Sequence, residues 1–556
     1  MFAGGGAMLV EASRLGATPS GTDVDPLAVE IVRHELDPPS EKVLSPILKR
    51  LLEELHQKFD QFYPTAQESA TPLHYFYLSL VTCRECHWKA PLYKSVIIAR
   101  DVKKSGGVNR DAAVTAFCPE CFSLRHITNL DQKSFRCCGK QWTFDTGTFS
   151  RGKYTCPNCA TTSDHAQLRT GVAPRKLIAV EDTIESSKRI IRAPNSIDLK
   201  AERSAERFLE SEAANLAYPS GLLEEKRADA RPVSYGIDTA DKLFTARQLA
   251  VFGYAFNWIA TQDIDRPVRR ALRLALSNAL TTNNRLCSYA TDYGRIAPLF
   301  SIRSYAMPWL SVELNPLHES AGRGTLAKSV RKIVRSSSNV STRSVWNAET
   351  GSVERVEYKF PIPTSKPTLR CISASKPLNP LEPIDICLFD PPYFDYIAYS
   401  ELSEFYRVWH SKSALGGVPL LPETDCPSES FGNDLGNCLI QTLKVLRPNK
   451  PMTFTFHSLD AEAWKAIAIA LRKAQTRVTA IWPVLNDAHM GHHGSSGNCE
   501  WDLVVVCKRT AEAAVVCPIP SVSEWRASVK PLKIGEADER GMGLALEALK
   551  DLFANA

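Results

Sequence analysis

Between Cys83 and Cys159 the chain places eight cysteines in four pairs, Cys83-x-x-Cys86, Cys118-x-x-Cys121, Cys137-Cys138 and Cys156-x-x-Cys159. Disulfides persist in oxidising compartments, and no basic region followed by an apolar stretch marks this N-terminus for secretion. No segment reaches 18 uninterrupted apolar residues, so no membrane span is expected either. The expected location is therefore the cytoplasm, with the 16 cysteines reduced. Reduced thiols in such pairs are metal ligands, and the C-x-x-C turn sets two sulfurs at the spacing that tetrahedral Zn2+ requires. Eight thiolates make two sets of four. Spacing alone leaves the pairing open. A nested arrangement is favoured, with Cys83, Cys86, Cys156 and Cys159 on one ion and Cys118, Cys121, Cys137 and Cys138 on the other. Nothing here resembles a catalytic zinc site with an open position, so the metal is expected to be structural, holding a small β-rich module that lacks a large core. His87 and His126 lie close by and read as surface or packing residues rather than ligands.

A second constraint is Leu388-Phe389-Asp390-Pro391-Pro392-Tyr393-Phe394. The run Ile384 to Phe389, interrupted by Asp385, has the composition of a buried parallel strand. In an open α/β sheet the ligand crevice lies beyond the carboxyl ends of the strands, so the carboxylate of Asp390 faces a pocket. Two prolines remove two N–H donors and fix the backbone, leaving Asp390 and nearby carbonyls as rigid acceptors with Tyr393 beside them. Acceptors plus a flat ring suit an exocyclic amino group on a planar heterocycle.

The other end of the chain complements this motif. Phe2-Ala3-Gly4-Gly5-Gly6 precedes a helical segment from Met8 to Leu15, followed by Asp23-Val24-Asp25-Pro26. Glycines at a strand-to-helix turn let backbone N–H groups approach a ligand, and an acidic residue about 20 positions on accepts the hydroxyls of a ribose. The fuller G-x-G-x-x-G spacing of NAD sites is absent. With Asp-Pro-Pro-Tyr in the same chain, S-adenosylmethionine is the better cofactor. Phe2 already stands where the glycine loop leaves its first strand, so that strand is expected to come from further upstream or from an upstream-encoded polypeptide, or else to be lost from a truncated remnant.

The chain divides accordingly. Residues 1–36 form the first, cofactor-binding part, 37–79 a helical connector, 80–165 the zinc-ribbon module and 166–240 a charged connector. Residues 241–365 form a helical insert with a basic loop, 366–510 the catalytic part, and 511–556 a C-terminal helical tail. In the connector, Leu44, Ile47, Leu48, Leu51, Leu52 and Leu55 recur at helical spacing and read as packing. The basic loop, Arg323 to Ser338, carries Arg323, Lys328, Arg331, Lys332 and Arg335, and with a net charge of +6 over the chain it permits contact with a phosphate backbone. In the catalytic part Ser373 sits at a strand end near the cofactor's adenine, Tyr399 to Trp409 form an aromatic helix, and Met452 to Phe456 form a strand ending at His457. A loop with His489, His492 and His493 reads as a lid without ligation. Alternating strands and helices closed by a hairpin finish a doubly wound sheet.

Taken together, Phe2-Ala-Gly-Gly-Gly6, Asp23-x-Asp25-Pro26, Phe244-Thr-x-Arg247-Gln248-Leu249, Met307-Pro-Trp309 with Glu313-x-Asn315-Pro316, Asp390-Pro-Pro-Tyr393 and Phe456-His457 through Trp464 resemble the large zinc-ribbon-containing adenine-specific DNA methylases. The likeness runs through most of the chain, in the same motif order, and the outer cysteine pairing agrees with that family's simpler ribbon. It implies an α/β protein with an interrupted class I methyltransferase doubly wound sheet, an inserted β-rich zinc-ribbon module and a helical insert. It further implies methyl transfer from S-adenosylmethionine to adenine N6 of a base flipped out of DNA. The site residues are then Asp390, Pro391, Pro392 and Tyr393 for catalysis and Phe2, Ala3, Gly4, Gly6, Asp23 and Ser373 for the cofactor. RNA bases or cytosine N4 are alternative substrates for the same acceptors. An inactive DNA-binding remnant, or one half of a split enzyme, is the alternative from another class.

Overall fold

The structure is a computed structural model that describes residues 1–65, 69–101, 113–129, 131–164, 174–184, 188–217, 229–301, 304–336, 341–347, 352–358, 367–377, 383–392, 399–410, 428–485, 499–512 and 534–553, with a few single positions between them. The chain forms a mixed α/β structure of two compact units, one made of Met1–Asp37, Asn339–Ser400 and Leu415–Ala556, the other of Pro38–Ser338 and Glu401–Ala414. Among the described residues no helix is long and apolar enough to cross a membrane.

The first unit contains two sheets. Strand Ser20–Asp23 pairs in parallel with Thr368–Cys371, and helices Ala7–Arg14 and Pro26–Leu36 join this pair through Val10, Val32, Leu36 and Leu369. Asp25 caps the second helix by accepting the Leu27 N–H at 2.8 Å, with Pro26 at its first turn. The second sheet has the strand order Cys387–Phe389, Met452–Phe456, Trp501–Arg509, Thr476–Leu485. Its first pair is parallel and the last two strands run antiparallel to their neighbours. Helices Ser428–Val445, Ala461–Lys473 and Glu536–Leu549 cover one face of this sheet, burying Phe389, Phe454, Phe456, Trp464, Leu503 and Val505. The tail expected over 511–556 thus contributes Met542, Leu546 and Leu549 to this core. The other face differs from expectation. Ile386 and Leu388 are 60% and 43% exposed, so the strand read as fully buried is covered on one side only.

In the second unit an antiparallel sheet runs Lys188–Arg192, Arg175–Ile184, Ala70–Thr82, Leu310–Leu314. The long strand Ala70–Thr82 begins inside the segment read as a helical connector and runs on into the zinc-ribbon module, and Arg175–Ile184 lies inside the one read as a charged connector. Both faces of Ala70–Thr82 are buried, Tyr75 and Tyr77 toward helices and Phe76 and Leu78 toward the cysteine-rich module. A strand buried on both faces has no period-2 pattern to betray it. The connector does begin with a helix, Glu41–Phe59, whose Leu44, Leu48, Leu51 and Leu55 are buried as the spacing predicts. The aromatic helix is core as well, since Phe405 and Trp409 lie within 5.5 Å of Phe244, centroid to centroid. Leu326–Ser336 is a helix where a basic loop was read, with Arg331, Lys332 and Arg335 exposed and Val330, Ile333 and Val334 packed inward.

Arg247 and Glu313, both in the motifs quoted above, meet inside this unit. Arg247 Nε donates to Glu313 Oε1 at 3.0 Å, Nη2 to the Tyr77 hydroxyl at 2.6 Å and Nη1 to the Phe62 carbonyl at 3.2 Å. The guanidinium also lies 4.1 Å from the centre of the Tyr75 ring. Thr245 donates to the same carboxylate oxygen at 3.1 Å. These motif residues hold helix Ala246–Thr261 onto the sheet and carry no exposed chemistry. Removing one partner of a buried pair strands the other charge, so Arg247→Met is expected to destabilise this unit by about 3–5 kcal/mol. Arg247→Met with Glu313→Gln should recover much of that loss. Denaturant titration checks both, and a loss below about 1 kcal/mol in the single variant would contradict this role.

Candidate functional site

Three of the four cysteine pairs adopt the same turn. The His87, Phe122 and Ala160 N–H groups donate to the carbonyls of Cys83, Cys118 and Cys156 at 3.0, 2.8 and 3.0 Å. Those three donors, each just past a C-x-x-C, sit at φ of 57°, 61° and 59°, the left-handed conformation that closes such a turn. Backbone N–H groups of Glu85 and Cys86, Glu120 and Cys121, and Asn158 and Cys159 point at the first sulfur of each pair. This geometry brings together the two nested sets read from the sequence. In one, Cys83 and Cys159 sulfurs are 3.6 Å apart, as are those of Cys86 and Cys156. In the other, Cys118 lies 3.9 Å from Cys138 and Cys121 3.7 Å from Cys137. Sulfurs about 2.3 Å from a tetrahedral Zn2+ fall about 3.8 Å from one another. Each set can hold one metal ion, with all four sulfurs within 4.8 Å of one another. Hydrogen bonds from Ser123 bring the Cys121 thiol down to about 6, and those of Thr161 do the same for Cys159, which favours the thiolate form that metal needs. His126 instead lies 3.3 Å from Asp101, and neither it nor His87 belongs to either set.

The other predicted residues converge on strand ends of the first unit. At the end of Ser20–Asp23 the Asp23 carboxylate accepts the Gly4 N–H at 2.8 Å on one oxygen and the Asp25 N–H at 2.9 Å on the other. Burial raises its pKa against the pull of these two bonds. The glycines divide their work. Gly6, at φ 80°, is buried 2.8 Å from Val32 by the position a Cβ would take, so its role is helix packing. Gly4 and Gly5 are exposed, and around Gly5 such a Cβ would meet nothing within 4 Å. Gly5, omitted from the predicted set, is therefore the position where a ligand gains closest access to backbone. Ala3 donates to the Thr22 carbonyl at 3.0 Å. The Phe2 ring is half-buried and packs against Phe389 at the edge of the core, centroids 6.1 Å apart. The chain past Thr368–Cys371 stays beside Asp23, Ile372 donating to its carbonyl at 2.9 Å. Ser373 is then half-buried, its hydroxyl 2.8 Å from that of Ser375.

Asp390 stands at the end of Cys387–Phe389 and accepts a hydrogen bond from Thr455 at 3.2 Å. Its pKa is pushed up to about 6, mainly by burial and then by the nearby Asp502, with Thr455 and His457 acting the other way. Pro391 is buried and lines a small apolar void with Leu435, Leu439 and Ile467, and Pro392 is half-buried. Tyr393, and the lid histidines His489, His492 and His493, lie outside the described residues. His457 and Asp502, which sequence reading did not select, meet at 2.5 Å between Nδ1 and Oδ1.

No family model, curated protein or solved structure matches this chain. The site thus comprises a carboxylate beside an exposed glycine turn, a second carboxylate of raised pKa at another strand end, and two four-thiolate groups that could each hold a metal ion.

Proposed function

We propose that this chain is an S-adenosylmethionine-dependent DNA methyltransferase that methylates adenine N6. The observation that carries the reading is Asp390 at a strand's carboxyl end, on the side of the first unit where Phe2 of the glycine turn touches Phe389. The Asp23 oxygens each hold one backbone N–H and keep a second lone pair, enough for two ribose hydroxyls. When bound, S-adenosylmethionine supplies an electrophilic methyl group. Asp390 accepts an N6 hydrogen, as does the Pro391 carbonyl, and this turns the nitrogen lone pair away from the ring and toward the methyl carbon. The base reaches that position only when flipped out of the duplex, and Tyr393 is the ring proposed to stack on it.

Zn2+ is the ion proposed for both thiolate sets, as a scaffold for the module. DNA is the proposed partner of the exposed Arg323, Arg331, Lys332 and Arg335, whose basic face suits a phosphate backbone. Among the described residues Ser20–Asp23 pairs only with Thr368–Cys371, and Cys387–Phe389 only with Met452–Phe456. A further parallel strand between them would unite the two sheets.

Calorimetric titration of S-adenosylmethionine into the zinc-loaded chain tests the cofactor reading. One site of micromolar strength, about −8 kcal/mol, is expected, weakened at least about tenfold in Asp23→Ala. Absence of binding would overturn the cofactor itself.

A further inference from the structure

Asp390 shares its face of the sheet with three polar side chains. Phe389 pairs with Phe454 in the parallel register, which sets Asp390 beside Thr455. Phe456 pairs with Leu503 in the antiparallel register, which sets His457 across from Asp502. Side chains alternate along a strand. With Phe454, Phe456, Leu503 and Val505 buried on one face, Thr455, His457 and Asp502 fall on the other, the face of Leu388 and Asp390. The result is a line of acceptors and one imidazole at the carboxyl edge. His457 is 33% exposed and Asp502 9%, so the line runs from a sheltered carboxylate to a ring that reaches water. The charged groups facing His457 are Asp502 on the antiparallel strand, Asp390 on the strand beyond Thr455 and Asp538 on helix Glu536–Leu549. Asp538 is already committed, accepting the Glu500 and Trp501 N–H groups at 3.0 Å each.

We propose that His457, oriented by Asp502, is a positioning and proton-relay residue that returns Asp390 to its charged form after each methyl transfer. The inference rests on the methyl-transfer reading above. In that reaction the N6 lone pair forms the new N–C bond while the sulfonium S–C bond breaks and its electron pair stays on sulfur. The nitrogen is left positively charged. The electron pair of one N–H bond returns to nitrogen as its proton passes to an Asp390 oxygen. Asp390 is then a neutral acid and useless for the next base. Its proton passes to the His457 ring, and the Asp502 carboxylate compensates the imidazolium before water takes the proton away.

The experiment uses the zinc-loaded protein with histidine ring 15N labelling, the His457 signal being assigned by its loss in His457→Asn. Its titration midpoint is expected to move down by at least about half a unit in Asp390→Asn and further in Asp502→Asn, a readout that needs no cofactor and tests whether the ring lies close enough to Asp390 to take its proton. In turnover, His457→Asn and His457→Gln are expected to lose about a hundredfold in kcat with KM for S-adenosylmethionine unchanged, and to be partly rescued by added imidazole. A midpoint unmoved in Asp390→Asn, or a wild-type rate and pH profile in both His457 variants while Asp390→Asn is inactive, would overturn the relay and leave the methyl-transfer reading standing. Methyl transfer retained by Asp390→Asn would overturn the relay and with it the role of Asp390 as proton acceptor, since an amide oxygen accepts a hydrogen bond but takes up no proton.

Discussion

Asp390→Ala is expected to lower methyl transfer to DNA adenine about a thousandfold while changing S-adenosylmethionine affinity less than about twofold. A hydrogen bond that strengthens only as charge develops on the nitrogen acts on the transition state, and each lost 1.36 kcal/mol is about a factor of ten in rate. Asp390 belongs to a different strand from Asp23 and the glycine turn, so the cofactor groups survive the change. The pH dependence has the same source. Because the carboxylate is the working form and its pKa is raised to about 6, activity should fall as pH drops through 6. Stability should move the opposite way in Asp390→Asn. The raised pKa means that the folded protein bears a cost for the charged carboxylate above pH 6, a cost relieved as pH falls through 6 and gone below the ordinary value of 3.8. The asparagine variant should therefore melt slightly higher than wild type at pH 7.5, with the gap closing toward pH 4. Residual activity above about 5% in Asp390→Ala would remove this residue from the reaction.

Stripping the metal is the second large effect expected. Among the described residues the cluster around the outer thiolates buries Val81, Ala90, Leu92 and Tyr154 besides Cys83 and Cys156, with Cys86 and Phe149 packed against it. A core of that size cannot offset the entropy of ordering its loops, and metal binding of about 10 kcal/mol or more can. Elemental analysis should find two zinc ions per chain, falling to one in Cys156→Ser and likewise in Cys118→Ser. Prolonged chelation should unfold the outer ribbon, seen as new protease cleavage around Cys83–Cys86 and Cys156–Cys159, while Val96, Ile98, Phe117 and Phe135 keep the part around the inner thiolates in a larger core. Damage should spread further from the outer site, because strand Ala70–Thr82 runs directly into Cys83 and Leu80 donates to the Pro174 carbonyl at 2.8 Å. One zinc ion or none in the wild-type protein would contradict the eight-ligand assignment.

What could be read from the sequence follows from how local each signal is. Met452–Phe456 was legible to the residue, because an apolar run between Pro451 and His457 has few other uses. The cysteine pairs were legible because a knuckle is set by neighbours in sequence, although their nesting leaned on resemblance to a family. Ala70–Thr82 was not, since a strand buried on both faces loses its alternation. The helix Leu326–Ser336 was hidden by its charge, its apolar side being only Val330, Ile333 and Val334 beside Leu326. His457 was visible as the end of a strand, but its partner was not. Asp502 reaches it only through the antiparallel pairing of Met452–Phe456 with Trp501–Arg509, two strands separated in sequence by a helix and another strand. Gly6 was picked as a cofactor residue by position in a loop, and tertiary packing against Val32 gave it other work.

The central claim is most directly tested by incubating the zinc-loaded protein with duplex DNA and methyl-labelled S-adenosylmethionine, then digesting the DNA to nucleosides for mass spectrometry. Labelled N6-methyladenine is expected with the wild-type chain and not with Asp390→Ala. DNA that stays unlabelled while the cofactor binds, or label found only on cytosine or only on RNA, would contradict it.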